Sequence, residues 1–233
     1  MPTWDVMLNG DVDDLTVLVS LGVGVTQEGE GRFVLRSPEL DALTDVRAVR
    51  ERAVERVAVF SGLSRIAEGD AKARAVVVGA IFRDDGTRRD VFVTPDTIEI
   101  RLGGRAPALG VSGNAAATPA ANPYATWDAA AERDPNVKLA LRFFGPAPTS
   151  ENLWKVYEVI RDDVGDKANI IGKGWATDDQ IDSFRSVHYP SALGEKARHG
   201  IEPTRRPAPR DPMSLAEARE FIRRLLVHWL SSK

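Results

Sequence analysis

The stretch GRAPALGVSGNAAATPAANP, from Gly104 to Pro123, divides this 233-residue sequence into two dissimilar halves. It consists mainly of Ala, Gly, Pro, Ser and Asn, and Arg105 is its only charged residue. It holds too few large apolar side chains to offset the entropy that is lost when a backbone becomes ordered. We therefore interpret residues 104–122 as a linker between a domain at 1–103 and a second domain at 123–233.

The first half has the pattern of an α+β domain. The stretch WDVMLNG alternates as a strand does, VGVTQEGEGRFVLRS fits two short strands, and Ala73–Leu102 fits three more. The strongest helix runs from Leu43 to about Phe60, with an apolar face and with Arg56 among the charged residues on the other side. We expect an antiparallel or mixed sheet with one long helix across it.

The acidic stretch GDVDDL has two readings. Asp11, Asp13 and Asp14 together offer oxygen ligands for a hard cation. An aspartate just before a helix is also a preferred N-cap, and the helical pattern begins here. We interpret the stretch as a cap. We expect no metal site, because the sequence contains no HxH, HxxxH or HExxH motif.

The second half is helical in pattern. The stretches TSENLWKVYEVIRDDVG, TDDQIDSFRSVHYP and PMSLAEAREFIRRLLVHWL each place apolar residues on one helical face. Thr177 with Gln180, and Ser214 with Glu217, have the spacing of capping boxes. A less regular helix is predicted from Trp127 to Phe144. These elements together predict a small helical bundle, so the fold class of the whole chain is α+β followed by helices.

The composition excludes several kinds of chemistry. The sequence has no cysteine, which rules out disulfides, thiolate zinc sites and a cysteine nucleophile. It contains neither a phosphate-binding glycine loop nor a Gly-x-Ser-x-Gly motif, and we expect no cofactor. No apolar run approaches the roughly 20 residues that span a bilayer, so we expect no membrane partner. Without a signal-peptide pattern at the N-terminus, we expect a cytoplasmic protein.

Charge is distributed unevenly along the chain. The net charge is -3, but residues 1–103 carry 13 basic and 18 acidic side chains. Residues 184–233 carry 10 basic and 5 acidic side chains, a net charge of +5. An anionic partner, either a protein or an RNA, is therefore expected at residues 184–233.

All three histidines lie in this last part of the chain. His188 shares the apolar face of a predicted helix near its C-terminus, and we interpret it as a packed side chain. Arg198 and His199 lie in the long loop Tyr189–Asp211, where they form a candidate acid–base or anion-binding pair. His228 lies on the last predicted helix.

The same loop contains the candidate binding residues. The stretch EPTRRPAPRDP holds Arg205, Arg206 and Arg210 among prolines, and Lys196 precedes it. Proline keeps the backbone extended, and a guanidinium pairs bidentately with a carboxylate or a phosphate. The loop is predicted either to hold an anionic partner or to be solvated charge between two helices.

The motif RRLLVH, Arg223–His228, gives a resemblance to a known family. Arg-x4-His on a helix of a small bundle resembles the motif of HEPN-type domains, which include metal-independent ribonucleases of toxin and phage-defence systems. The resemblance covers residues 123–233 and implies that Arg223 and His228 act as catalytic residues at a homodimer interface. Arg224 departs from the polar residue that often follows the arginine in that family. Five helical steps place the two residues about 140° apart, so a single chain does not bring them together.

Three functions remain open from the sequence. The first is a non-catalytic binding or adaptor protein that engages its partner through the basic C-terminal loop. The second is a HEPN-like ribonuclease that uses Arg223 and His228, or a site on Arg198 and His199. The third is a small-molecule enzyme or sensor with a pocket between its domains.

Overall fold

The computed structural model describes residues 3–29, 31–69, 76–84, 89–93, 122–187 and 213–233. These residues divide into two compact units. The sheet unit takes the described residues within Met1–Val54 and Val76–Pro123, and the helical unit takes those within Glu55–Ala75 and Tyr124–Lys233. Of the predicted linker, 104–122, only Asn122 is described, so the linker stays a prediction.

The sheet unit contains five strands and two short helices, followed by the start of a long one. Its strands are β1 (Thr3–Asn9), β2 (Val25–Glu28), β3 (Arg32–Leu35), β4 (Val77–Asp84) and β5 (Arg89–Phe92). Its helices are α1 (Val12–Leu21), α2 (Pro38–Asp41) and the first part of α3 (Val46–Glu68). The strands form an antiparallel sheet in the order β2-β3-β1-β4-β5. The predicted α+β class is confirmed; the third strand predicted within Ala73–Leu102 lies outside the described residues.

Alternation along β1 produces the two faces of the sheet. Trp4, Val6 and Leu8 are buried on one face, and the intervening residues are more exposed. The Trp4 side chain donates from Nε1 to the carbonyl of Leu43 at 2.9 Å, and its backbone N–H donates to Asp41 at 2.8 Å. The sheet is thereby fixed to the turn that follows α2.

The cap interpretation of the acidic stretch at α1 is confirmed. The side chain of Asp11 accepts a hydrogen bond from the backbone N–H of Asp13 at 3.1 Å, and Asp11 is the N-cap of α1. Helix α1 ends at Gly22, whose φ of 69° lies in the left-handed region that glycine tolerates.

Helix α3 is longer than the sequence pattern indicates. The predicted helix ends near Phe60, but α3 continues to Glu68, and its residues from Glu55 onward belong to the helical unit. Sequence analysis placed the whole helix with the sheet. Periodicity identifies a buried face but does not say which unit buries it.

The helical unit contains six further helices among the described residues. They are α4 (Pro123–Arg133), α5 (Pro135–Phe144), α6 (Ser150–Val164), α7 (Lys167–Gly172), α8 (Asp178–Ser186) and α9 (Leu215–Leu230). Both predicted capping boxes, at Thr177 and at Ser214, are confirmed. The prediction of a single helix from Trp127 to Phe144 is wrong, because two helices cover this range. Asp134 caps a new helix there, because Pro135 cannot donate a backbone hydrogen bond and is favoured in a first turn.

A polar cluster connects the last helix to the ends of two others. The Nζ of Lys233 lies 2.7 Å from Asp134 and 2.9 Å from Asp163, and Trp229 Nε1 donates to Asp163 at 2.8 Å. Burial alone would raise the pKa of Asp163, but the hydrogen bonds from Lys233 and Trp229 outweigh it and hold that pKa below its ordinary value. The acidic residues at this end of the bundle are therefore already neutralised.

Helix α3 lies against helix α5 at Gly62, where the two backbones touch. A Cβ added to Gly62 would clash with the carbonyl oxygen of Leu141 and would lie 2.9 Å from its carbonyl carbon. Gly145, just after α5, also lies close to α3: a Cβ there would lie 3.0 Å from Ser61 Cβ and 3.2 Å from the backbone nitrogen of Gly62. The two backbones are in direct contact, which leaves no room for a side chain at Gly62.

We predict that Gly62→Ala lowers the free energy of unfolding by about 1–3 kcal/mol, because the added methyl group forces the two backbones apart. The higher helix propensity of alanine, about 1 kcal/mol, offsets only part of that loss. Gly172→Ala is the matched control, since a Cβ at this helical glycine would meet nothing within 4 Å. Urea denaturation of both variants checks the prediction. Equal effects of the two substitutions would contradict it.

Candidate partner-binding surface

Four aromatic side chains of the helical unit pack together. Trp154 and Tyr157 come from α6, Phe184 from α8 and Phe221 from α9. The rings of Trp154 and Phe184 stack with their centroids 6.0 Å apart, and Phe184 contacts Tyr157 at 5.6 Å and Phe221 at 5.4 Å. Phe184 therefore joins the other three rings into one cluster.

This aromatic cluster fixes the chain on either side of the predicted basic loop. Phe184 lies in the last turn of α8, and Val187, the last described residue after it, is 0% exposed. Described structure resumes at Met213, and α9 brings Phe221 back to the cluster. The flanks of residues 188–212 are thus held in one packed core.

Most of the predicted site residues lie outside the described residues. These are the candidate binding residues, the Arg198–His199 pair and the first histidine: Lys196, Arg205, Arg206, Arg210, Arg198, His199 and His188. Their roles stay predictions. Arg223 and His228, the two residues of the HEPN-like motif, are described.

Arg223 is held by its own helix. Its Nε donates to Glu220 Oε2 at 2.7 Å, and its Nη2 donates to Glu220 Oε1 at 2.9 Å. Nη1 lies 3.5 Å from the carbonyl oxygen of Ile66 near the end of α3. The hydrogen bonds that Arg223 donates to the Glu220 carboxylate raise the pKa of Arg223 above its ordinary value, against an opposing effect of burial. Arg223 is therefore a paired cation in this chain.

His228 lies apart from Arg223. It is exposed in the last turn of α9, and the five-residue spacing places it about 140° around the helix from Arg223. Within the described ranges no hydrogen bond to the His228 side chain is present. One chain does not bring the two residues together, so the dimeric site implied by the resemblance stays a prediction.

Arg56 was wrongly placed on the solvent side of its helix. It is 5% exposed, donates to Asp128 at 2.6 Å and to Glu132 at 2.5 Å, and lies over the ring of Phe60 at 4.9 Å. Burial alone would lower the pKa of Arg56, but the two carboxylates outweigh it and the pKa lies above its ordinary value. Asp128 and Glu132 are one turn apart on the Ala-rich helix α4, and that spacing was a signal for a buried cation.

A second buried arginine, Arg219, was also missed. It is 3% exposed, and its guanidinium carbon lies 4.5 Å from the centre of the Phe144 ring. Burial, with a contribution from nearby Arg65, lowers the pKa of Arg219 to about 10, so it is charged at pH 7. Arg65 donates to the carbonyl of Gly145. Both cations therefore lie at the C-terminal end of α5, where the helix dipole favours positive charge.

The described residues contain neither a metal-binding group nor a membrane-spanning helix. Within the described ranges, no three His, Asp or Glu side chains are grouped so that they could hold a metal ion. None of the described helices combines the length and the apolar character that crossing a membrane requires.

Comparison with known proteins gives no match: no protein-family model, curated protein sequence or solved structure is similar to this chain.

We predict that Arg56→Met lowers the free energy of unfolding by about 3 kcal/mol, because it removes the buried ion pairs that Arg56 forms with Asp128 and Glu132. Arg47→Met is the control from the same helix: its side chain is 85% exposed and pairs with Glu51 one turn away. Such an exposed pair contributes less than about 0.5 kcal/mol. Thermal and urea unfolding measure both. A loss at Arg56 no larger than at Arg47 would show that the buried pairing is unimportant.

Proposed function

We propose that this chain is a non-catalytic binding protein whose helical unit engages an acidic protein partner through the basic segment 196–210. The observation that carries the proposal is the aromatic cluster of Trp154, Tyr157, Phe184 and Phe221, which fixes the chain on both sides of that segment. Binding residues are commonly carried by loops that a rigid scaffold positions.

The charge of the C-terminal part supports an anionic partner. Residues 184–233 have a net charge of +5. Among the described cations of this part, Arg219 is buried and Lys233 is paired with Asp134 and Asp163. The proposal therefore rests on the cations of the basic segment, whose arginines pair bidentately with carboxylates.

A protein partner is favoured over RNA by the charge of the whole chain. RNA binding relies on neutralising many phosphates, which favours chains with a large positive charge. This chain has a net charge of -3. A local basic segment on an acidic chain is better suited to a partner that presents a few carboxylates.

The test uses the full chain and a fluorescein-labelled peptide rich in Glu and Leu. We expect the Ala variant of Lys196, Arg205, Arg206 and Arg210 to bind the peptide at least about tenfold more weakly, because up to four charge-assisted contacts are lost. The matched control replaces four cations from elsewhere with Ala: the exposed Arg47, Arg133 and Lys173 and the half-buried Arg161. Fluorescence anisotropy measures both affinities. Equal weakening by the control variant would overturn the proposal.

A second assay addresses catalysis. The full chain is incubated with single-stranded RNA in EDTA, and we expect the RNA to stay intact. Metal-independent cleavage that disappears in His228→Ala would overturn the non-catalytic proposal and would support the HEPN-like alternative.

A further inference from the structure

The outward face of α5 carries cationic and apolar side chains in two adjacent rows. Lys138 and Arg142 lie one turn apart, and beside them Leu139 and Phe143 are also one turn apart. Leu139 is 38% exposed, Arg142 is exposed, and Lys138 and Phe143 are half-buried. We call these four residues the α5 stripe. Its inner neighbours Val137, Ala140, Leu141 and Phe144 are in the core.

The cations of the α5 stripe have no counterion within the part of the chain that the structure describes. Neither Lys138 nor Arg142 forms an ion pair with a described carboxylate. Like charges one turn apart on a helix repel each other. A negative group that approaches both cations offsets this repulsion and adds two attractive contacts.

Acidic residues close to the α5 stripe already form ion pairs with other cations. Asp134, which caps α5, is paired with Lys233, and Glu132 is paired with Arg56. Lys155 of α6 lies over the Phe143 ring at 5.4 Å and pairs with Glu151 at 2.6 Å. The Lys155–Glu151 pair therefore lies at one end of the apolar row and adds no net charge there.

The outward side of α9 is different. There Glu220 pairs with two arginines: it is hydrogen-bonded to Arg223 and lies 3.8 Å from Arg224. A carboxylate of the same helix already compensates that pair. Helix α5 has no acidic residue between Pro135 and Phe144.

We propose that the α5 stripe is a docking surface for an amphipathic acidic helix of the protein partner. This inference rests on the proposed function and names the chemistry of the partner. Two carboxylates one turn apart on that helix pair with Lys138 and Arg142, and its apolar side chains pack on Leu139 and Phe143. Charge complementarity determines the orientation, and apolar contact excludes water from the ion pairs.

Apolar contact is the reason for choosing a protein helix over a nucleic acid. A phosphate backbone would use the two cations but would leave Leu139 exposed. One charged row beside one apolar row matches the two faces of an amphipathic helix that packs lengthwise against α5. An RNA that binds through this face in place of the peptide is an outcome of the test that would overturn the proposal.

The experiment measures binding of a labelled helical peptide by fluorescence anisotropy. The peptide has Glu at i and i+4, Leu at i+1 and i+5, and Ala or Gln elsewhere. We expect the double variant Lys138→Glu, Arg142→Glu of the full chain to bind it at least about tenfold more weakly, because attraction becomes repulsion. A second peptide, with Lys in place of each Glu, should bind the double variant more tightly than the unaltered chain.

Two controls make the result specific. Arg133→Glu with Lys173→Glu changes the charge of the helical unit by the same amount on other exposed residues, and we expect its affinity for the acidic peptide to stay within about twofold. Leu139→Ser should weaken binding although it leaves the charge unchanged. Circular dichroism confirms that each variant is folded. Equal weakening by the control pair, or no gain with the Lys peptide, would overturn the proposal.

One further titration distinguishes failure of the docking proposal from failure of the proposed function. The Ala variant of Lys196, Arg205, Arg206 and Arg210 is titrated with the same acidic peptide. If this variant binds weakly and the α5 double variant binds normally, the stripe is not a docking surface and the proposed function stands. If the unaltered chain does not bind the acidic peptide, both proposals are wrong.

Discussion

The direct backbone contact between α3 and α5 is the constraint on which the helical unit depends. Gly62 has no room for a side chain against Leu141, and Gly145 approaches Ser61 in the same way. Two helices that pack without intervening side chains have little freedom to rotate about their axes. The contact therefore determines which side of α5 is buried and leaves Lys138 and Arg142 on the outward side.

Ion pairing inside the helical unit determines where its uncompensated charge lies. Arg56 is neutralised by carboxylates of α4, and Lys233 by Asp134 and Asp163. These pairs stabilise the bundle and consume acidic side chains that would otherwise offset surface cations. Carboxylates in these internal pairs do not offset Lys138 and Arg142, so positive charge is uncompensated locally on α5 although the whole chain is acidic.

Residues close together in the sequence correctly predicted the helix caps. They did not predict which charged side chains are buried. The caps at Asp11, Thr177 and Ser214 depend on residues within one turn of each helix start, and all are found. The environment of Arg56 depends on a helix 72 residues away in sequence, so periodicity placed it on the wrong side. Arg223 was predicted as a candidate, but its bidentate pairing with Glu220 makes it a paired cation. The α5 stripe is not predictable from spacing alone, because its outward position depends on the contact of α5 with α3.

We propose that the helical unit binds an acidic helix through residues that perform no chemistry. Backbone amide chemical shifts of the isotope-labelled full chain, recorded during titration with the acidic peptide, test this most directly. We expect the largest changes at Lys138–Phe143 and within 196–210, with saturation at a single affinity. Changes concentrated at Arg223–His228, or confined to the strands of the sheet unit, would contradict it.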